Sequence, residues 1–148
     1  KMHKITLREG QLTCEEQHII QVGFETHSIQ LDAPIYKNNR LNWLVHSSDN
    51  QLVGALSADV FWDWVYIDEL WVDETHRSQG FGRQLIEKVE AYACDEALRG
   101  LWLWTQSWQA ANFYEHLDYE VFARFPDFPE GHSRIGYRKY LDSQAKHH

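Results

Sequence analysis

The sequence predicts a mixed α/β fold in a single domain over residues 1–148, and three observations carry that expectation. Short β-prone runs alternate with stretches whose apolar residues recur at helical spacing. Three of the runs follow one another as a meander over residues 41–72, before helices and strands alternate again. The chain has 148 residues, 43% of them hydrophobic and 14% aromatic, enough for one packed core and too few for two.

Residues 3–8 (HKITLR) alternate polar and apolar side chains, as a half-buried first strand does. Thr13 followed by Glu16 has capping-box spacing, and Ile19, Ile20, Val22 and Phe24 continue the helix it opens. Residues 28–40, with Pro34, Asn38 and Asn39, read as irregular. Leu41–His46 is the next strand, and residues 47–51 (SSDNQ) turn the chain back. Leu52–Trp62 and Tyr66–Val72 complete the meander. Phe81, Leu85, Ile86, Val89 and Ala93 then mark one face of a helix. Gly100 reads as that helix's stop, and residues 101–106 (LWLWTQ) as a buried strand. Trp108–Leu117 is predicted helical, and Tyr119–Phe125 and Arg134–Leu141 are the last two strands, joined by FPDFPEGH. The order is therefore β, α, β, β, β, α, β, α, β, β.

A net charge of −8 argues against a nucleic-acid backbone as partner, because neutralising phosphates needs clustered Lys and Arg. It suits a cationic small molecule, or plain solubility. Cys14 and Cys94 offer neither a disulfide framework nor metal spacing, as reduced thiols in a cytoplasmic protein would. No apolar run approaches a membrane span and no signal peptide is evident, so no membrane partner and a cytoplasmic location are expected. Nine histidines show no ligand spacing, and no metal is expected.

The stretch Tyr66–Cys94 organises the rest: a strand, a turn holding Arg77, Gly80 and Gly82, and an amphipathic helix. Glycines between strand and helix let backbone N–H groups approach a ligand, and a helix start favours an anion, most simply a phosphate. RSQGFG is not a P-loop, since no Gly-Lys-Ser/Thr follows, and it lacks the third glycine of the dinucleotide fingerprint. Standing alone it would serve equally as an ordinary strand-to-helix connection.

Its company decides the reading. Leu70-Trp71-Val72 ends the strand, Arg77-x-x-Gly80-x-Gly82 follows, and Ala110, Phe113, Tyr114 and Tyr119 come later in an Ala-x-x-aromatic-Tyr pattern. Over residues 41–141 the chain resembles the GNAT N-acetyltransferases, which use acetyl-CoA and have a mixed, mostly antiparallel sheet flanked by helices. The resemblance implies that Arg77, Ser78, Gln79, Gly80, Phe81, Gly82 and Arg83 hold the CoA pyrophosphate. It implies that Leu70, Trp71 and Val72 hold the acetyl and pantetheine end, with Ser107, Ala110 and Phe113 also on the cofactor side. It implies a cleft where the Tyr66–Val72 strand splays from the next. A primary amine of a small molecule or peptide would be the acceptor, attacking directly in a ternary complex. A CoA-binding module without transfer activity is the rival reading, and a homodimer is compatible with either.

Tyr114 matches the family tyrosine that protonates the departing thiolate, a role a phenol of pKa about 10 suits. The base that deprotonates the amine is a choice between Asp68, the preferred one, and Glu69, because successive strand residues point to opposite faces unless a bulge intervenes. Asp59, Trp62, Asp63 and Trp64 crowd the preceding hairpin and could bind an ammonium group or simply pack; His132 sits in a loop that borders the acceptor site in similar enzymes. Two departures from the family pattern stand out. Asp118 replaces a glycine where a left-handed cap is wanted, and Ser107 replaces an asparagine.

Overall fold

Thr13 begins the first helix as its spacing predicts. The computed structural model describes residues 2–109 and 111–141, in two compact units divided between Tyr36 and Lys37. In the first unit, α1 (Cys14–Gln30) is closed by a capping box: Thr13 Oγ1 accepts from the Glu16 N–H at 3.1 Å, and the Glu16 carboxylate accepts from the Thr13 N–H at 2.8 Å. The Arg8 guanidinium beside it, then the Thr13 N–H, hold the Glu16 carboxyl at about 2. No strand forms over residues 3–8. Alternation is only a side-chain pattern, whereas a strand exists through a hydrogen-bonded neighbour.

The second unit carries one six-stranded sheet in the order β1-β2-β3-β4-β6-β5. Its strands are β1 (Asn38–His46), β2 (Leu52–Phe61), β3 (Trp64–Val72), β4 (Gly100–Gln106), β5 (Glu120–Pro126) and β6 (Ser133–Tyr140). All neighbours are antiparallel except β3 and β4, which the crossover through α2 (Phe81–Asp95) makes parallel. α3 (Ala111–His116) links β4 to β5.

The core lies between the sheet and the apolar stripe of α2. Leu85, Ile86, Val89 and Ala93 are buried there against Leu56, Ala58, Val65, Ile67, Leu101 and Leu103. Each large aliphatic side chain so buried contributes about 1.5–3 kcal/mol. Strand alternation sets the two sheet faces: Leu101, Leu103 and Thr105 point into the core, while Trp102, Trp104 and Gln106 lie on the other face and are half-buried. The left-handed cap expected at Asp118 is present at φ 71°, where the Tyr119 N–H closes onto the Tyr114 carbonyl at 3.0 Å.

Two boundaries differ from expectation for local reasons. Gly100 does not stop the helix, which ends at Asp95 with the Leu98 N–H closing onto Ala93. Gly100 opens β4 because a Cβ there would run into the Lys139 carbonyl oxygen and meet the Trp64 ring at 2.7 Å. The helix predicted from Trp108 begins only at Ala111, since the preceding residues are tied to β4 and β6. There the Ser107 N–H donates to the Ser133 carbonyl at 2.8 Å, and Gln109 Oε1 accepts the Gln106 N–H at 2.9 Å.

Candidate active site

The site begins with a strand pair that stops pairing. β3 and β4 are in register only from Trp64 opposite Gly100 to Ile67 opposite Leu103. Beyond that the two part, and the main-chain groups of residues 68–72 on the β4 side face a gap instead of a ladder. The cleft implied by the resemblance is therefore present. It forms a cavity of about 570 Å³, bounded by Asp68, Glu69, Leu70 and Trp71 on one side and by Trp104, Thr105, Gln109, Phe113 and Tyr114 on the other.

A bulge sits at the mouth of this gap. Ser57 opposes Glu69 and its neighbour Ala58 opposes Ile67, so Asp68 has no partner on β2. Antiparallel partners share a face, and Ser57 lies two residues from Asp59, which opposes Tyr66. The extra residue thus swings Glu69 onto the face of Tyr66 and Asp59, so simple alternation, which separates Asp68 from Glu69, fails here. Both carboxylates line the cavity.

Their partners differ. Arg40 Nη1 on β1 donates to Asp59 at 2.7 Å and to Asp68 at 2.9 Å, and the two carboxylates keep the guanidinium pKa above its ordinary value. Glu69 has no hydrogen bond or ion pair among the described residues.

Tyr114 faces the gap from the core side. It is buried, with its ring 5.1 Å from Phe113, 5.8 Å from Tyr137 and 5.9 Å from Tyr119, and burial pushes its phenol up to about 12. The Tyr137 hydroxyl donates a hydrogen bond to the Glu115 carboxylate at 2.8 Å and that of Tyr119 to Glu90 at 2.8 Å, so both neighbours are committed elsewhere.

At the other end of β3 the turn leads into α2. Gly80 caps the helix in the left-handed conformation at φ 87°, and Ser78 is left-handed at φ 66°. No side chain caps the helix and no acidic residue stands in its first turn, so its leading N–H groups and partial positive charge remain available to an anion. These features fit a pyrophosphate. Arg77 is exposed and folds back along the loop, its Nε donating to the Val72 carbonyl at 3.1 Å and tying the two ends of the loop together. Arg83 pairs with Glu87 at 3.4 Å along the helix surface. A Cβ on Gly82 would stand 3.4 Å from the Phe113 ring, an ordinary contact, so packing alone does not demand a glycine there.

The remaining expected residues fall in several places. Asp59 belongs to the Arg40 bridge. Trp62 sits half-exposed at the β2–β3 turn with φ 53°, and Trp64 packs edge-on to Tyr140 at 5.2 Å; both are at the end of β3 away from the gap. His132 lies edge-on to Trp108 at 5.0 Å in the loop beside the end of β4. Ser107 Oγ accepts from the Ser133 N–H at 3.0 Å. Ala110 lies outside the described residues.

Two contributors escape a reading of the sequence. Arg40 is one, since nothing local links it to Asp68. Gln109 is the other: its Oε1 accepts from Thr105 Oγ1 at 3.0 Å as well as from Gln106, which leaves its amide nitrogen without a partner among the described residues, in a residue that lines the cavity. No group of three or more His, Cys, Asp or Glu side chains among the described residues could hold a metal, and no described helix is long and apolar enough to cross a membrane.

Comparison with known proteins agrees with this geometry. A blasticidin-S acetyltransferase of Streptomyces morookaense is 39% identical over 82 residues, 55% of this chain and 60% of that protein, so the match spans less than two thirds of the relative's length. The crystal structure of an acetyltransferase from Bacillus cereus superposes with a TM-score of 0.78 at 26% identity, covering 91% of this chain and 98% of that one. A Bacillus anthracis structure solved with acetyl coenzyme A bound shares the fold at TM-score 0.63 and 22% identity, covering 71% of this chain and 64% of that one. The acetyltransferase (GNAT) family matches residues 8–119, and the chain belongs to that family.

Proposed function

We propose that the protein transfers the acetyl group of acetyl-CoA to a primary amine of a small molecule or peptide, by direct attack within a ternary complex. The observation that carries the reading is the gap between β3 and β4, which has an acid on one face of the sheet and candidate bases on the other. Acetyl-CoA supplies an activated thioester. The blasticidin-S relative and the acetyl-CoA complex of the Bacillus anthracis neighbour support a small-molecule amine and that cosubstrate.

In this reading the leading N–H groups of α2, with Ser78, Gln79 and Gly80, hold the pyrophosphate. Main-chain N–H groups of β3 beyond Ile67, from the Leu70–Val72 stretch, hold and polarise the carbonyl under attack, where dipoles aimed at developing charge count most. Glu69 takes the proton of the acceptor ammonium, and Asp68, held by Arg40, attracts the cation without surrendering its own bridge. Tyr114 donates its proton to the leaving sulfur; a phenol held near 12 stays protonated until that moment.

Release of CoA thiol, measured over a panel of amines, tests the reading. Turnover with at least one amine, together with a rise in melting temperature with acetyl-CoA, is expected, because a ligand that binds only the folded state stabilises it. Stabilisation by acetyl-CoA with no thiol release from any amine would point instead to a binding module.

A further inference from the structure

We infer that the acceptor carries a carboxylate as well as its amine, and that Arg134 receives that carboxylate. The inference rests on the acetyltransfer proposed above and names the second charge of the substrate. Arg134 opposes Gln106 across the β6–β4 ladder and so shares the sheet face of Trp104 and Trp102, the face toward which the bulge turns Glu69. Its guanidinium carbon stands 5.5 Å from the centre of the Trp104 ring and 5.7 Å from that of Phe128. Trp104 itself lines the cavity, so the two rings fix a cation beside the acceptor side of the gap.

That cation is unspent. Arg40, Arg83, Arg99 and Arg138 each pair with a carboxylate of the chain. Arg134 pairs with none among the described residues, although the chain holds 22 acidic side chains against 14 basic ones. Its one hydrogen bond, to Gln106 Oε1, is long at 3.5 Å. A guanidinium offers a planar fork of donors that matches a carboxylate in two parallel bonds, and stacking on rings leaves that fork free.

On the β3 side, Asp68 and Glu69 line the same cavity as Trp104, the ring on which Arg134 stacks. The Tyr66 hydroxyl registers both signs: burial first, then Asp68, push its pKa up, while Arg134 pulls it down. An acceptor that is only cationic would meet repulsion from Arg134, and a neutral one would leave the fork unused. An amine with a carboxylate a few bonds away, as in an amino acid, satisfies both sides.

The experiment compares thiol release from acetyl-CoA with α-, β- and γ-amino acids, each beside its carboxamide. The acid is expected to exceed its amide in kcat/KM by about tenfold or more for the best-fitting spacing, the scale of a charged hydrogen bond. In Arg134→Met that ratio should fall to near one, and in Arg134→Lys part of it should return, since lysine keeps the charge and loses the fork. Equal turnover of acids and amides, or a ratio unmoved by Arg134→Met, would overturn the inference and leave acetyltransfer standing. Thiol release from no amine at all would remove both.

Discussion

The guanidinium of Arg40, on β1, reaches across β2 to the carboxylate of Asp68 on β3, at 2.9 Å. The bridge occupies an acid that also lines the cavity, and it leaves Glu69, the next residue, without a partner among the described residues. A base must have a free lone pair within reach of the proton it takes. Glu69→Gln is therefore expected to lower kcat/KM by about 100-fold and to abolish its rising limb with pH, the mark of a lost base. Asp68→Asn should weaken amine KM more than kcat. An intact rising limb in Glu69→Gln, with the limb lost in Asp68→Asn, would exchange the two roles.

Tyr114 holds its proton because burial removes the water that would stabilise a phenolate. Tyr114→Phe deletes that proton and little volume, so acetyl-CoA affinity should persist while kcat falls about 100-fold or more, within the range for lost acid catalysis. With the phenol near 12, the wild-type kcat should show no alkaline limb from this residue by pH 10.0, the ordinary tyrosine value. Unchanged turnover in Tyr114→Phe would assign the proton to water.

The sequence carries the parts of this site that are properties of single residues and their spacing. The Thr13–Glu16 cap, the strand–turn–helix around Gly80 and the left-handed Asp118 are all local, and each is found where its spacing puts it; Tyr114 lines the cavity. What is not local is not legible. The bulge at Asp68 exists only as a slip of β3 against β2, and it changes which face Glu69 occupies without leaving a glycine or proline to announce it. Arg40, 28 positions from Asp68, and the Gln109 side chain, which closes the end of β4, act through pairings that no spacing encodes. Residues 3–8 show the converse: an alternating pattern with no strand.

Gly82 separates stability from binding. It lies in the first turn of α2, where alanine is the better helix former by up to about 1 kcal/mol, and the 3.4 Å approach to the Phe113 ring is an ordinary contact. Gly82→Ala should accordingly melt at or above the wild-type temperature. If phosphate oxygens come close to this turn, the added methyl should weaken acetyl-CoA binding by about tenfold, read by calorimetric titration. Unaltered affinity would move the pyrophosphate away from residue 82.

Three tyrosines around the site set the alkaline limit of the fold. Burial pushes Tyr114 up to about 12, and burial with the Glu115 hydrogen bond does the same for Tyr137; Tyr119 is raised further by burial and Glu90. A folded pKa above the unfolded value of 10.0 means full stabilisation below about pH 10, lost as pH rises towards 12. Denaturant melts between those values should show falling stability together with tyrosinate absorbance that develops only as the protein unfolds. Absorbance rising fully at pH 10 in folded protein would mean these phenols are hydrated.

Gly100 is where the fold leaves least room. It opens β4 between β3 and β6, and a Cβ there would strike the Lys139 carbonyl oxygen and approach the Trp64 ring at 2.7 Å and 3.0 Å. A side chain can rotate away, but a carbonyl held in the β4–β6 ladder, where Gly100 opposes Tyr140, cannot move without breaking strand pairing. Gly100→Ala should therefore cost about 1–3 kcal/mol, the range for overpacking a filled site. The same change at Gly23, on α1 with nothing within 4 Å of the added Cβ, should stabilise that helix slightly. Chemical denaturation of both variants gives the comparison. The expected order is Gly23→Ala at or above wild type and Gly100→Ala well below it. A neutral Gly100→Ala would mean that β4 and β6 can separate at this edge, and the parallel pairing of Trp64 with Gly100 that closes the lower end of the gap would then not be rigid.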